Sequence, residues 1–162
     1  MSVDMFLTIK GAKGESEDDA YPEAIDVLAW SFGMSQSGSM HVGGGGGSGK
    51  VSVQDISITK WVDSSSCIMQ QWCCKGTHID EAQLIVRKAG DKPLDYIVID
   101  LKEVIIASVS TGGSGGEDKL TENVSLNFKE FKTTYRSQEK SGAKKAEFKW
   151  AWNIAKNAEA KG

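Results

Sequence analysis

Apolar and polar positions alternate with period two along most of the chain. Val3, Met5, Leu7 and Ile9 line one face of a first strand. Ile25, Val27 and Ala29 oppose Leu28, Trp30 and Phe32, so a second strand is apolar on both faces. Val51 and Val53 change face to Ile56 and Ile58, which predicts a bulge near Gln54 and Asp55. Leu84 and Val86 oppose Ile85; Leu94, Tyr96 and Val98 oppose Ile97, Ile99 and Leu101; Val104 to Val109 is almost continuously apolar. Leu120, Val124, Leu126 and Phe128 follow, and Phe131 and Tyr135 take the other parity. Ala146, Phe148, Trp150, Trp152 and Ile154 share a last face, and the two tryptophans on it are assigned to the core. The pattern predicts eight or nine strands separated by polar, glycine-containing turns.

One segment departs from that alternation. Asp63-Ser64-Ser65-Ser66 offers several N-caps, and Ile68, Met69, Trp72 and Cys73 form the apolar stripe of a short helix. Lys75 suits its negative end and Gly76 its C′ position. Many strands around a small core favour a closed antiparallel β-barrel with one short flanking helix, because closure removes edge strands. Apolar residues on both faces of strands, as at Leu28, Trp30 and Phe32 or at Ile105 and Val109, exceed what one helix covers and point to an oligomer.

The length of 162 residues fits a single domain over 1–162. Lys plus Arg number 19 against 22 for Asp plus Glu, which weighs against a dedicated nucleic-acid binder. No apolar run approaches a membrane span, so no membrane insertion is expected. The start MSVDMFLTIKGAKG lacks the pattern of a Sec signal. Cys67, Cys73 and Cys74 are odd in number and crowded together, which reads as reduced thiols made in a cytosol.

Candidate chemistry is thin. Gly44 to Lys50 meets the spacing of a phosphate-binding loop, but Val51 stands where a magnesium-ligating hydroxyl belongs, and a strand follows instead of a helix. The run Gly43, Gly44, Gly45, Gly46, Gly47, Ser48, Gly49 is therefore a flexible arm. Thr111 to Asp118 is a glycine-rich loop without the basic residue of an anion cradle. Cys73, Cys74 and His78 do not make a zinc site, since adjacent helical residues point about 100° apart; they read as buried thiols. Glu15, Glu17, Asp18 and Asp19 read as a solvated acidic loop. Asn123-Val124-Ser125 is a sequon that means little without a signal peptide. No catalytic set, cofactor or metal is expected. A small nucleotidase and a monomeric ligand-binding β-barrel are the competing readings.

Several stretches carry a resemblance: VDMFLTIKGAKGES at 3–16, IDVLAWSFGMSQSGSMHVGGGGGSGKVSVQDISITK at 25–60, LKEVIIASVSTGGSGGEDKLTENVSLNF at 101–128 and WAWNIAKN at 150–157. Together they resemble the Hcp (haemolysin-coregulated protein) family, tube subunits of the bacterial type VI secretion system. The helix with Trp72, Cys73 and Cys74 departs from the family's pattern. The resemblance implies a tight β-barrel assembled as a homohexameric ring, with rings stacked inside a contractile sheath. It also implies spike and baseplate partners, effector proteins carried in the lumen, and export from the cytoplasm without Sec. In the strand Ile25 to Phe32 the odd positions end in small residues, so Ser31 is the candidate for the inner wall and for cargo contact. The arm Gly43–Gly49 is the candidate contact to the next subunit or ring.

Overall fold

In a computed structural model, residues 2–38, 49–90 and 93–161 are described. The strands are β1 (Val3–Ile9), β2 (Ile25–Ser31), β3 (Met34–Gln36), β4 (Val51–Val53), β5 (Ile56–Trp61), β6 (Ile79–Lys88), β7 (Leu94–Gly112), β8 (Thr121–Gln138), β9 (Lys144–Asn153) and β10 (Ala158–Glu159); the helix α1 spans Ser66–Lys75. Antiparallel pairing runs β8-β5-β2-β1-β6-β7, and β7 pairs again with β8, closing a six-stranded barrel. β9 and β10 extend the sheet beyond β8.

Period-two alternation fills the barrel. Leu7, Ile25, Ile56, Ile58, Leu84, Ile99, Leu101, Val104, Val124, Leu126 and Phe131 are all buried in one cluster, with Met69 of α1 among them. The helix ends as its sequence predicts. Gly76 takes φ 62°, and its N–H and that of Thr77 donate to the carbonyls of Cys73 and Trp72. The thiols differ from expectation: Cys73 is half-buried, while Cys67 and Cys74 are exposed.

Three changes of face have physical causes that the alternation alone does not reveal. Between Val53 and Ile56 there is no bulge; β4 pairs with β3 in a separate two-stranded ribbon, and the chain crosses back into the barrel at Gln54, whose N–H donates to Gly33 O at 2.9 Å. The bulge lies in β2, between Val27 and Ala29. It turns Leu28 outward and lets Trp30 and Phe32 join the core beside Ile25 and Val27. In β7 the buried set shifts from Ile99 and Leu101 to Val104 and Ile106, and in β8 from Phe131 to Phe128 and Leu126. Both shifts fall at one level, where Glu103 has φ 52° and pairs with Lys129 at 3.0 Å.

The acidic loop is not simply solvated. It lies on the outer side of β1, β6 and β7, where Phe6, Ala24, Ile85, Val98 and Tyr21 form a second cluster. Phe6 and Tyr21 stack with their centroids 5.1 Å apart, and the Arg87 guanidinium lies 5.2 and 5.9 Å from those centroids. It donates to Asp18 (Nη1–Oδ1 2.9 Å) and to Asp4 at 3.2 Å. The Arg87 guanidinium holds the Asp18 carboxyl down to about 2. Tyr21 donates its hydroxyl proton to Asp95. Gly14 is required here, because a Cβ would stand 2.5 Å from Ala24 O. Much of the apolar surface read as two-sided is therefore covered within the chain, by this loop and by the bulge.

One charged pair lies fully inside. Lys60 and Glu122 are both 0% exposed and form a salt bridge. Lys60 also donates to Trp61 O at 2.8 Å and pairs with Asp63 at 3.1 Å. Glu122 accepts from Ser66 Oγ at 2.6 Å and from Thr111 Oγ1 at 3.0 Å. Five stretches of chain thus meet on one ion pair: β5, the turn before α1, α1, β7 and β8. Burial alone would raise the Glu122 carboxyl, but the hydrogen bonds from Lys60, Ser66 and Thr111 hold it below the usual glutamate range. Lys60→Met leaves a buried carboxylate without its cation and should cost about 3–5 kcal/mol in urea unfolding, whereas Lys60→Met with Glu122→Leu should recover most of the loss. Because the folded value is depressed, the pair's contribution should be intact above the ordinary glutamate value of 4.5 and lost as pH falls through the folded value, seen as acid-induced loss of stability.

Candidate functional site

The outward faces of β2, β5, β8 and β7 form a wall of short polar side chains. On β5 and β8 the outward Ser57, Thr59, Asn123 and Ser125 alternate with buried Ile56, Ile58, Val124 and Leu126, which fixes their direction; on β2 and β7 the inward neighbours are half-buried Trp30, Phe32 and Val109. In register across the four strands stand Ser31, Ser57, Ser125 and Ser108. The next row is Ala29, Thr59, Asn123 and Ser110. Neither row carries a charge. Ser57 Oγ and Ser125 Oγ lie 3.4 Å apart, and Thr59 donates to Asn123 Oδ1 at 2.7 Å. At one end Asn127 donates to Asp55 at 2.8 Å; at the other stand Trp61, Thr121 and Gly112.

Ser31 is exposed at the end of β2, in the first of these rows. The sequence reading singled out Ser31 and missed the rest of the wall. The signal was present as three short words: Ser57-Ile58-Thr59, Ser108-Val109-Ser110 and Asn123-Val124-Ser125, each a small polar residue on either side of an aliphatic one. The third word is the sequon, and its pattern follows from the barrel.

Positions 43–48 of the glycine arm lie outside the described residues; Lys50 leads into β4, not into a helix. The loop from Gly113 to Leu120 connects β7 to β8. Among the described residues, no group of three His, Cys, Asp or Glu is placed to hold a metal ion. A groove of about 560 Å³ crosses the outer face of β1, β6, β7 and β8. Its polar groups are engaged with one another: Gln83 donates to Asp100 at 2.7 Å, and Lys102 pairs with Glu130 at 3.5 Å.

The tryptophan expectation is corrected. Trp150 is 45% exposed and Phe148 61%, and only Trp152 is partly buried. β9 reaches past the barrel, so its apolar face continues beyond the strands that would cover it.

The sequence profile of the family described as "Type VI secretion system effector, Hcp" matches residues 6–135. The chain is 55% identical over 162 residues to Protein hcp1 of Pseudomonas aeruginosa, covering 99% of this chain and 100% of that one. The crystal structure of Hcp1 from Salmonella typhimurium superposes with a TM-score of 0.81 at 34% identity, covering 99% of this chain and 100% of the other. A further structure, of a type six secretion system protein, has a TM-score of 0.92 at 24% identity over 98% of this chain and 100% of that one, a likeness of fold.

Ser31, Ser57 and Ser108 are exposed, so these positions should tolerate change. Ser31→Gln, Ser57→Gln or Ser108→Gln should each shift unfolding stability by no more than about 0.5 kcal/mol in urea titrations.

Proposed function

The chain belongs to the Hcp family, the tube subunits of the type VI secretion system, and we propose that, as one domain over 1–162, it closes into a hexameric ring whose lumen is lined by the Ser31 wall. The observation that carries this reading is the wall itself, a charge-free face of small side chains with open strand edges on both sides. β2 pairs with β1 only at Asp26 and Ile25, and β7 pairs with β6 only as far as Val104. Among the described residues, Leu28–Ser31 and Ile105–Gly112 are therefore strand-paired on one side only. Two different open edges suit a heterologous contact, which closes into a ring when the rotation allows.

In this reading the rings stack into a tube inside the sheath, with spike and baseplate as further partners. Effector proteins are held against Ser31 and its neighbours, and the arm Gly43–Gly49 reaches the next subunit or ring. The subunit is made in the cytoplasm and leaves by the type VI route without Sec. Its role is structural. A ligand-binding barrel would need an open interior, whereas this one is filled by Leu7, Ile58, Leu84, Ile99 and Phe131.

Native mass spectrometry should find a species near six times the 17.5 kDa monomer at micromolar concentration; a monomer would overturn the reading. Ser31→Gln should leave the ring intact and reduce effector retention in a pull-down, through steric bulk in the lumen. Loss of the ring in that variant would show that Ser31 is buried between subunits.

A further inference from the structure

Strand β8 carries two unlike patches, one near each end. Toward its C-terminal end Tyr135 stacks on Phe148 of β9, with ring centroids 6.2 Å apart, and Trp150 stacks on Trp152 at 5.5 Å. Met5, Val86, Ile97, Tyr135 and Phe148 lie in one cross-strand row, which runs from the barrel out along an uncovered ledge. The ledge is basic. Lys144, Lys149 and Arg136 converge on Glu147 and hold its carboxyl down to about 2, and Lys140 and Lys145 stand exposed beside them.

The N-terminal end of β8 has the opposite character. Leu120 and Val62 are each 41% exposed and joined by the bond from Val62 N–H to Leu120 O at 2.9 Å. Trp61 lies next to them, with Lys119 over its ring at 5.3 Å. Exposed Glu117 and Asp118 border this aliphatic patch. Thr121 and Tyr135 are separated by roughly 46 Å of strand at about 3.3 Å per residue.

Each patch is apolar, and their charges are complementary. The basic aromatic ledge repels a second copy of itself and fits the acid-bordered aliphatic end. Lysines along the open edge of β9 discourage strand addition there, which leaves its face for docking. We propose that the two patches meet between adjacent copies of this chain: the Phe148–Trp150 ledge of one copy seats on Leu120, Val62 and Trp61 of the next, with Lys145 and Lys149 opposite Glu117 and Asp118. This rests on the chain being an assembling subunit and says which surfaces join. Each copy offers both patches, so the contact is heterologous and runs from copy to copy until the ring closes.

Sedimentation velocity over a concentration series, with native mass spectrometry, tests it. Phe148→Ser should raise the concentration for half-assembly about tenfold while leaving the unfolding midpoint unchanged, because that ring stands in solvent. Lys145→Glu and Glu117→Lys should each weaken assembly, and the double variant should return to within about threefold of the parent. Unchanged assembly of Phe148→Ser or of either charge variant overturns the proposal, as does a double variant no better than its singles. A parent chain that stays monomeric over the same range instead overturns the subunit reading, so the two failures are distinguishable.

Discussion

The barrel depends on two long strands that change face at the same level. β7 and β8 pair along nearly their whole lengths, and each must serve the wall at one end and the outer sheet at the other. A strand keeps one face inward only while its neighbours lie on one side. Where β5 leaves β8 and β9 takes its place, the inward face has to change. Glu103 with its positive φ, opposite Lys129, makes that step in both strands together. Without the shared step, either Leu101 and Phe131 or Val104 and Phe128 would face water, at a cost of about 1.5–3 kcal/mol per side chain.

The same step divides the molecule by surface character. On one side of it the outward positions are Ser57, Ser125, Ser108 and their neighbours, which suit contact with solvent or passing protein. On the other side the sheet runs past the barrel and ends in Tyr135, Phe148 and Trp150. A single pair of strands thus supplies a polar wall and an apolar ledge, held in fixed relation by continuous backbone hydrogen bonds.

Fold class, the helix with its Gly76 stop, and most strands were legible in the sequence, because alternation and capping act over a few residues. What was not legible required long-range partners. The bulge at Leu28 depends on β5 opposite it, and the transfer of Val51–Val53 to a separate ribbon depends on Met34–Gln36. Asp18 reads as a solvated acid until Arg87, far along the chain, is placed beside it. Trp150 reads as core because alternation says which face a side chain takes, not whether anything covers that face. The outward position of Ser31 follows from its size and polarity, while its register partners on three other strands needed the sheet order. The pairing of Lys60 with Glu122 likewise needed the sheet order, which sets β5 beside β8.

That buried pair also shapes how the sequence can drift. Losing either member alone strands a charge in the core, while losing both together is tolerable. Substitutions at positions 60 and 122 are therefore epistatic, and a lineage crosses from a charged to an apolar barrel end only through a poorly folding intermediate or by a near-simultaneous double change. Ser66 and Thr111, which hydrogen-bond the same carboxylate, are under weaker versions of that constraint. A comparison of many descendants of this chain would show these four sites changing as a block, at a slower tempo than the exposed serines of the wall a few ångströms away.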